Sequence, residues 1–409
     1  MHQKKLIVIG GGAAGFFCAI NAARLQPNLT VVIAEKTNKI LSKVRISGGG
    51  RCNVTHHCFE LPTLIKNYPR GQPFLKKSFH WFHTQHCIDW FAERGVLLHT
   101  EADGRMFPIT NSSETIINCF LKEANKYGVQ IQFNTDIKSI NKTNDGFGLI
   151  TEKQQQLTAD FICVTTGGYP KSLQFQWLQQ VGHTIQNPVP SLFTFNVPNH
   201  SILQLMGVSV ATAQIKIGGT KFMQQGPLLI THWGFSGPAV LKLSAYAARI
   251  LAENNYVFTI AINWLPQENE TSLREKWLPI RAQYAPQKIH AKNPFQLPNR
   301  LWLYLLTYCN ITNQQRWADL TVKQQNELIK NLTAQAFQVN GKTTFKEEFV
   351  TCGGIELSEI DANTMQSKKV NNLFFAGEVL DIDGITGGFN FQNAWTTGWI
   401  AAKSIAANF

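Results

Sequence analysis

Short runs of apolar, β-branched residues, each closed by glycines, recur at wide intervals along the 409 residues. The run at 6–9 in "LIVIGGGAAG" predicts a buried parallel strand. "AAGFFCAINAARLQ" follows it with small and apolar residues at helical spacing. "LTVVIAEK" (29–36) predicts a second strand, and "ADFICVTTGGYP" (159–170) a third that ends in a glycine pair. "VTCGGI" (350–355) repeats that strand-then-glycine pattern. The last block pairs a strand, "NLFFAGE" (372–378), with "GITGGFNFQNAWTTGWIAA" (384–402), a glycine turn opening a helix of small residues. Between these modules the periodicity changes. Residues 191–270 alternate in short β-type runs ("LFTFNV", "AQIKIGG", "YVFTIAINW") around one helical stretch, "FSGPAVLKLSAYAARIL". Residues 271–344 are rich in Gln, Lys and Leu at helical spacing. An α/β chain of three parts is therefore expected. Residues 1–190 and 345–409 form one doubly wound domain, interrupted by a β-rich domain (191–270) and a small helical domain (271–344).

Glycine spacing gives the first module its chemistry. Gly10, Gly12 and Gly15 fit G-x-G-x-x-G between a strand and a helix. The first allows the tight turn, the second a close approach to a pyrophosphate, and the third the packing of helix on strand. Ala13 and Ala14 open the helix, whose free N–H groups and positive dipole end favour phosphate. Glu35 ends the second strand, twenty residues beyond Gly15. A carboxylate there accepts from a ribose diol and repels a 2′-phosphate, so the adenosine half is unphosphorylated, as in FAD or NAD. Lys36 follows it. The return of the chain at 372–405 favours FAD. Gly377 and Glu378 end a late strand, and Asp383, Gly387, Gly388, Phe389 and Asn390 lead into a helix whose N-terminus can face a flavin ring. Thr166 and Gly167, at the end of the third strand, bring the chain back to the nucleotide.

Composition narrows the class. Hydrophobic residues make up 44% and charged residues 16%, which excludes a disordered chain. Apolar runs are too short for a membrane span. "MHQKKLIVIGGGAAGFFCAINAA" has the basic start and apolar stretch of a secretory signal, but it reads better as strand, turn and helix. The eight cysteines form no CxxC pair. No metal cluster is visible, and a reducing, cytoplasmic compartment is expected. Net charge is +12, unevenly spread. Residues 36–77 carry nine basic side chains against Glu60 alone, and 271–300 carry six against Glu275 alone, both with interleaved aromatics. A polyanion such as RNA would explain this; so would a solvated basic face, or charges serving a dinucleotide's own phosphates. The candidate RNA contacts are Lys66, Arg70, Lys76, Lys77, Arg281, Lys288 and Lys292.

The motifs "GGGAAG", "ISGGGRCNVT", "VTTGGYP", "THWGFSGPAVLKLS", "VTCGGI" and "GEVLDIDGITGGFNFQNAW" occur in this order over nearly the whole chain. In them the chain resembles the BaiN/RdsA (YhiN-type) family of NAD(P)/FAD-dependent oxidoreductases. The resemblance implies a Rossmann-like FAD-binding domain of the glutathione-reductase type with β-rich and helical insertions. It also implies FAD as bound cofactor and NADH as electron donor. Members are linked to dihydrouridine formation in large-subunit (23S) ribosomal RNA, others to reduction of bile-acid enones or oxidation of aminoacetone. One departure is His56, where the family usually has Asn. No second G-x-G-x-x-G is present, so NADH is expected to bind transiently where substrate later binds.

"RISGGGRCNV" (45–54) then lies against the flavin. Gly49 and Gly50, with Gly48, let the backbone approach it. Lys43, Arg45 and Arg51 offset phosphate or flavin charge, and Asn53 donates to a flavin carbonyl. Cys52 is a proton donor, a redox partner of the flavin, or packing. His232, in "THWGFSGP", is the other candidate acid, although a lone His is more often structural. Reducing uracil requires hydride at C6 and a proton at C5. Any conjugated enone follows the same two steps, so the basic surplus is what favours ribosomal RNA over a small-molecule substrate. A third reading is a flavoprotein that binds rRNA as an assembly factor without turnover.

Overall fold

A computed structural model describes residues 3–344 and 350–409. The expected domain boundary at 345 falls on 345–349, outside the described residues. The chain divides into two compact units, Met1–Ser191 with Phe345–Phe409, and Leu192–Thr344.

The first unit is built on five parallel strands: β1 (Lys5–Ile9), β2 (Thr30–Ala34), β3 (Gln130–Gln132), β4 (Phe161–Val164) and β5 (Leu373–Phe375). Their order in the sheet is β5-β4-β1-β2-β3. Leu6 pairs with both Val31 and Phe161, which centres β1. Leu6, Ile7 and Val8 are wholly buried, as a strand covered on both faces requires. Two helices lie together on this sheet, α1 (Ala13–Leu25) and α2 (Phe389–Ala407). They approach closely because Gly398 has no side chain: a Cβ there would stand 2.9 Å from the Ala14 carbonyl. Phe17, Phe91, Phe120 and Trp395 pack edge-on and tilted beside them.

The second unit holds a seven-stranded sheet, ordered 335–340, 257–263, 209–217, 223–230, 234–236, 194–196 and 342–343. Helix Pro238–Glu253 packs on it. Helices Glu270–Tyr284, Asn299–Tyr308 and Val322–Ala334 share its core, where Trp277, Trp302 and Trp317 join Ile215, Ile260 and Phe337. One element differs from the sequence reading. Residues 335–340, expected within a helical stretch, are a strand paired with 257–263. In QAFQVN, Gln335, Phe337 and Val339 are buried and the residues between them exposed, the period of two that a half-covered strand needs.

Candidate functional site

The three fingerprint glycines do three separate things. Gly10, at φ 113°, turns the chain off β1, and its Cβ would stand 2.7 Å from the Thr165 carbonyl. Gly15 carries the packing: a Cβ there would lie 2.0 Å from the Gly10 carbonyl. Gly12 has nothing within 4 Å of where its Cβ would be. It is also the N-cap of α1, and neither a side-chain cap nor an acid in the first turn occupies those N–H groups. Thr165, at the end of the third predicted strand, locks the turn by donating from Oγ1 to the carbonyls of Ile9 and Gly10. Glu35 is nearly buried at the end of β2. It accepts from the Gly11 N–H at 2.8 Å and from both the N–H and the hydroxyl of Thr37 at 2.9 Å. Beyond it a cleft is lined by Lys36, Asp136, Lys138, Tyr169 and Trp177. Residues 136–138 carry no motif, and only the fold brings them here.

Segment 42–55 crosses the same site. Gly48, Gly49 and Gly50 all have φ between 59° and 86°. Gly48 is glycine because a Cβ would press on Phe107 at 2.7 Å, whereas Gly49 and Gly50 face open space. Lys43 reaches Glu378 at 2.6 Å across 335 residues. Glu378 also accepts from the Thr351 N–H at 2.8 Å, beside Gly167 and Gly168. Thr166 donates to the Gly167 carbonyl at 3.3 Å. Three glycine-marked segments and the late strand thus meet at one place.

Several cations and amides are already committed within the protein, and the expected roles change accordingly. Arg45 pairs with Glu114. Arg51 pairs with Glu101 at 2.6 Å, with its guanidinium over the Phe107 ring at 4.0 Å. Asn53 is held within the protein. Its amide bridges the chain, donating to the Thr55 carbonyl at 3.0 Å and accepting from the Gly388 N–H at 2.9 Å. It thereby fastens this segment to the turn that opens α2. Asp383 is wholly buried in a two-pronged ion pair with Arg70, and Ser191 donates to it as well. It is a structural acid rather than a cofactor ligand. Burial pushes its carboxyl above the usual range, against the pull of Arg70 and Ser191. Asn390 closes residues 384–390 through both polar atoms of its amide, each to Gly384. Gly387 accepts from His56 Nδ1 at 3.0 Å, and the His56 ring stacks on Phe389. Gly388 caps α2 at φ 94°, and the Gly377 N–H donates to Thr397 on that helix. Cys52 is wholly buried at φ 62°; burial pushes its thiol up to about 12, with Ser47 pulling the other way. His232 is exposed, belongs to the second unit, and packs edge-on against Trp233.

The model of the HI0933-like protein Rossmann domain matches residues 4–404. The chain belongs to that family. A ribosomal RNA dihydrouridine synthase of Escherichia coli is 30% identical over 417 residues, covering 100% of this chain and 99% of its own. A 3-dehydro-bile acid delta(4,6)-reductase of Clostridium scindens is 26% identical over 99% of both chains. Among solved structures, the 3-ketosteroid-delta4-(5alpha)-dehydrogenase of Rhodococcus jostii shares the fold, with a TM-score of 0.53 at 12% identity over 99% of this chain and 98% of its own. This HI0933-like chain is an oxidoreductase of the FAD-dependent class.

Its own residues fit that cofactor. Open backbone at Gly12, Gly49 and Gly50, a carboxylate at Glu35 and the uncapped start of α1 form a cradle that added side chains would fill. Asn393, on α2, keeps a buried Oδ1 without a partner. The HI0933-like chain divides its basic candidates unequally. Lys66, Lys76 and Lys77 are exposed. Arg70 is not available to RNA, because its side chain is 11% exposed and bound to Asp383. Arg281 donates to the Ala318 carbonyl at 2.6 Å, Lys288 to Gln314 at 2.5 Å, and Lys292 lies over the Tyr284 ring. Among the described residues, no helix is long and apolar enough to cross a membrane, and no group of three metal-binding side chains occurs.

Proposed function

We propose that this chain reduces uridine to dihydrouridine in ribosomal RNA, with FAD bound and NADH as electron donor, in the cytoplasm. The observation that carries the reading is the end-to-end likeness, at 30% identity, to a ribosomal RNA dihydrouridine synthase. Exposed Lys66, Lys76 and Lys77 support it. The C5=C6 bond of uracil becomes single, C6 and C5 each gain a hydrogen, and the nicotinamide is oxidised. When bound, FAD supplies the two-electron exchange between donor and base. Gly12 and the start of α1 hold the pyrophosphate, Glu35 the ribose, and Gly49 and Gly50 leave room for the ring system. Lys43 and Glu378, as a neutralised pair, line the approach between them. Cys52 is assigned to packing, because a thiol held near 12 and sealed from solvent is a poor proton donor at neutral pH.

The test is to reduce the protein with NADH without oxygen, add a large-subunit rRNA fragment, and count dihydrouridine by mass spectrometry as oxidised-flavin absorbance returns. Matched reoxidation and dihydrouridine are expected. Replacing Lys66, Lys76 and Lys77 by Ala should raise KM for the fragment about tenfold or more while flavin content holds. The relative from Clostridium scindens favours a second reading, a small-enone reductase. A flavin that stays reduced with RNA and reoxidises with a conjugated ketone would select it. NADH oxidation with neither product would leave an RNA-binding flavoprotein without turnover.

A further inference from the structure

The turns of helix Gln72–Ser78 run on past Ser78. The N–H groups of Phe79, His80 and Trp81 continue its turns by donating to Leu75, Lys77 and Ser78 carbonyls. Lys76 and His80 therefore share one face, and Lys77 and Trp81 another, each pair four residues apart. Both lysines, His80 and Trp81 are exposed, and Trp81 shows 42% of its surface. A large exposed indole is unusual enough to need a reason. α2 brings a cation to that ring. Lys403 Nζ lies 4.0 Å from the centre of Trp81 and 5.4 Å from that of Trp399, so it sits between two indoles. Phe82 stacks both with Trp399 and with exposed His86. Trp81 Nε1 donates to Asn363 at 3.3 Å, which fixes the ring's orientation. Asp89 is engaged by Gln85 at 2.8 Å, and Asp361, two residues before Asn363, accepts from the Asn363 N–H at 2.8 Å.

We propose that Trp81, flanked by Lys76, Lys77 and Lys403, is a docking platform for single-stranded RNA. This rests on the reading above that RNA is the substrate. Lys403 lies over one anchored aromatic surface, and exposed Lys76 and Lys77 stand on the helical turn before it. That combination tracks a phosphate backbone while a base stacks. A polyanion without bases would use the lysines and ignore the indole. An apolar protein partner would use the indole and have no need of the lysines.

The probe is a fluorescein-labelled, uridine-containing RNA single strand, titrated by anisotropy into the FAD-loaded protein at several salt concentrations. In parallel, dihydrouridine is counted on a large-subunit rRNA fragment. Trp81→Ala should weaken binding about tenfold and leave the salt slope unchanged. Replacing Lys76, Lys77 and Lys403 together should weaken binding and shallow the slope by about 0.7 for each lysine. Trp81→Phe should restore most of the affinity, which separates stacking from folding. The KM for the fragment should rise in step with Kd. Wild-type affinity and KM in both Trp81→Ala and the triple lysine variant would overturn the platform while leaving the RNA function standing. Tight binding to heparin or to phosphatidylglycerol vesicles, with no preference for RNA and no effect of Trp81→Ala, would also overturn it. A wild-type protein that neither binds nor modifies RNA would remove the functional reading itself.

Discussion

Glycine is informative where its missing side chain has different consequences at neighbouring positions. Gly15→Ala would drive a Cβ against the Gly10 carbonyl, so it should destabilise the fold by about 1–3 kcal/mol, seen as a lower melting temperature of the cofactor-free protein. Gly12→Ala meets nothing in the chain. It should leave that melting temperature within a degree or two and instead lower bound FAD per protein, read from flavin absorbance. The fingerprint was legible for this reason: it records close approaches, which only glycine permits. Polar residues were less legible. Arg51, Asn53 and Asp383 looked like ligands, yet their partners Glu101, Gly388 and Arg70 lie 50 to 335 positions away in the sequence. A local reading sees a free polar group where the fold supplies its partner. Cys52 is the same kind of case. Cys52→Ser should cost about 1 kcal/mol through a poorly paired buried hydroxyl and leave turnover within about threefold. A hundredfold loss of turnover at normal flavin content would restore it as the acid.

Among elements, the contact of α1 with α2 positions the site. It sets the uncapped start of α1 beside the helix whose opening turn is fastened to Asn53. Gly398→Ala sets two effects against each other. Alanine gains roughly 1 kcal/mol over glycine inside a helix. Here its Cβ would stand 2.9 Å from the Ala14 carbonyl, and overpacking of that kind costs about 1–3 kcal/mol. Net destabilisation is expected in chemical denaturation, although the same change on an exposed helix would stabilise. Four of the five parallel strands were readable as apolar runs, whereas β3, Gln-Ile-Gln at the edge of the sheet and partly exposed, was not. Nor was the strand at 335–340, because it follows helix Val322–Ala334 without a turn residue. Only its pairing with 257–263 distinguishes it.

At the scale of the whole molecule, the two stretches on either side of residues 192–344 must be held together. Glu359 is one of the fasteners. It bonds His183 at 2.9 Å, the Thr184 N–H at 3.0 Å and Lys369 at 2.5 Å. Although burial opposes ionisation, the bonds to Lys369, Thr184 and His183 hold its carboxyl at about 2, below its ordinary 4.5. A depressed carboxyl stabilises the folded state above 4.5 and loses that contribution as pH falls towards 2. Melting temperature should therefore drop over this window, and Glu359→Gln should flatten the drop while lowering stability at neutral pH.

The division of the first unit between distant stretches of sequence also orders events in time. β1, β2 and α1 leave the ribosome early, but β5 and α2 are made only after the 153 residues of Leu192–Thr344. Until then β4 lacks its outer neighbour in the sheet, and α1 lacks the helix that covers it. The second unit, contiguous in sequence, can complete its core while the first waits half-made. Loading of the cofactor thus waits until β5 and α2 have been made, and a chain stopped before residue 373 would carry the whole G-x-G-x-x-G fingerprint yet have no finished cradle.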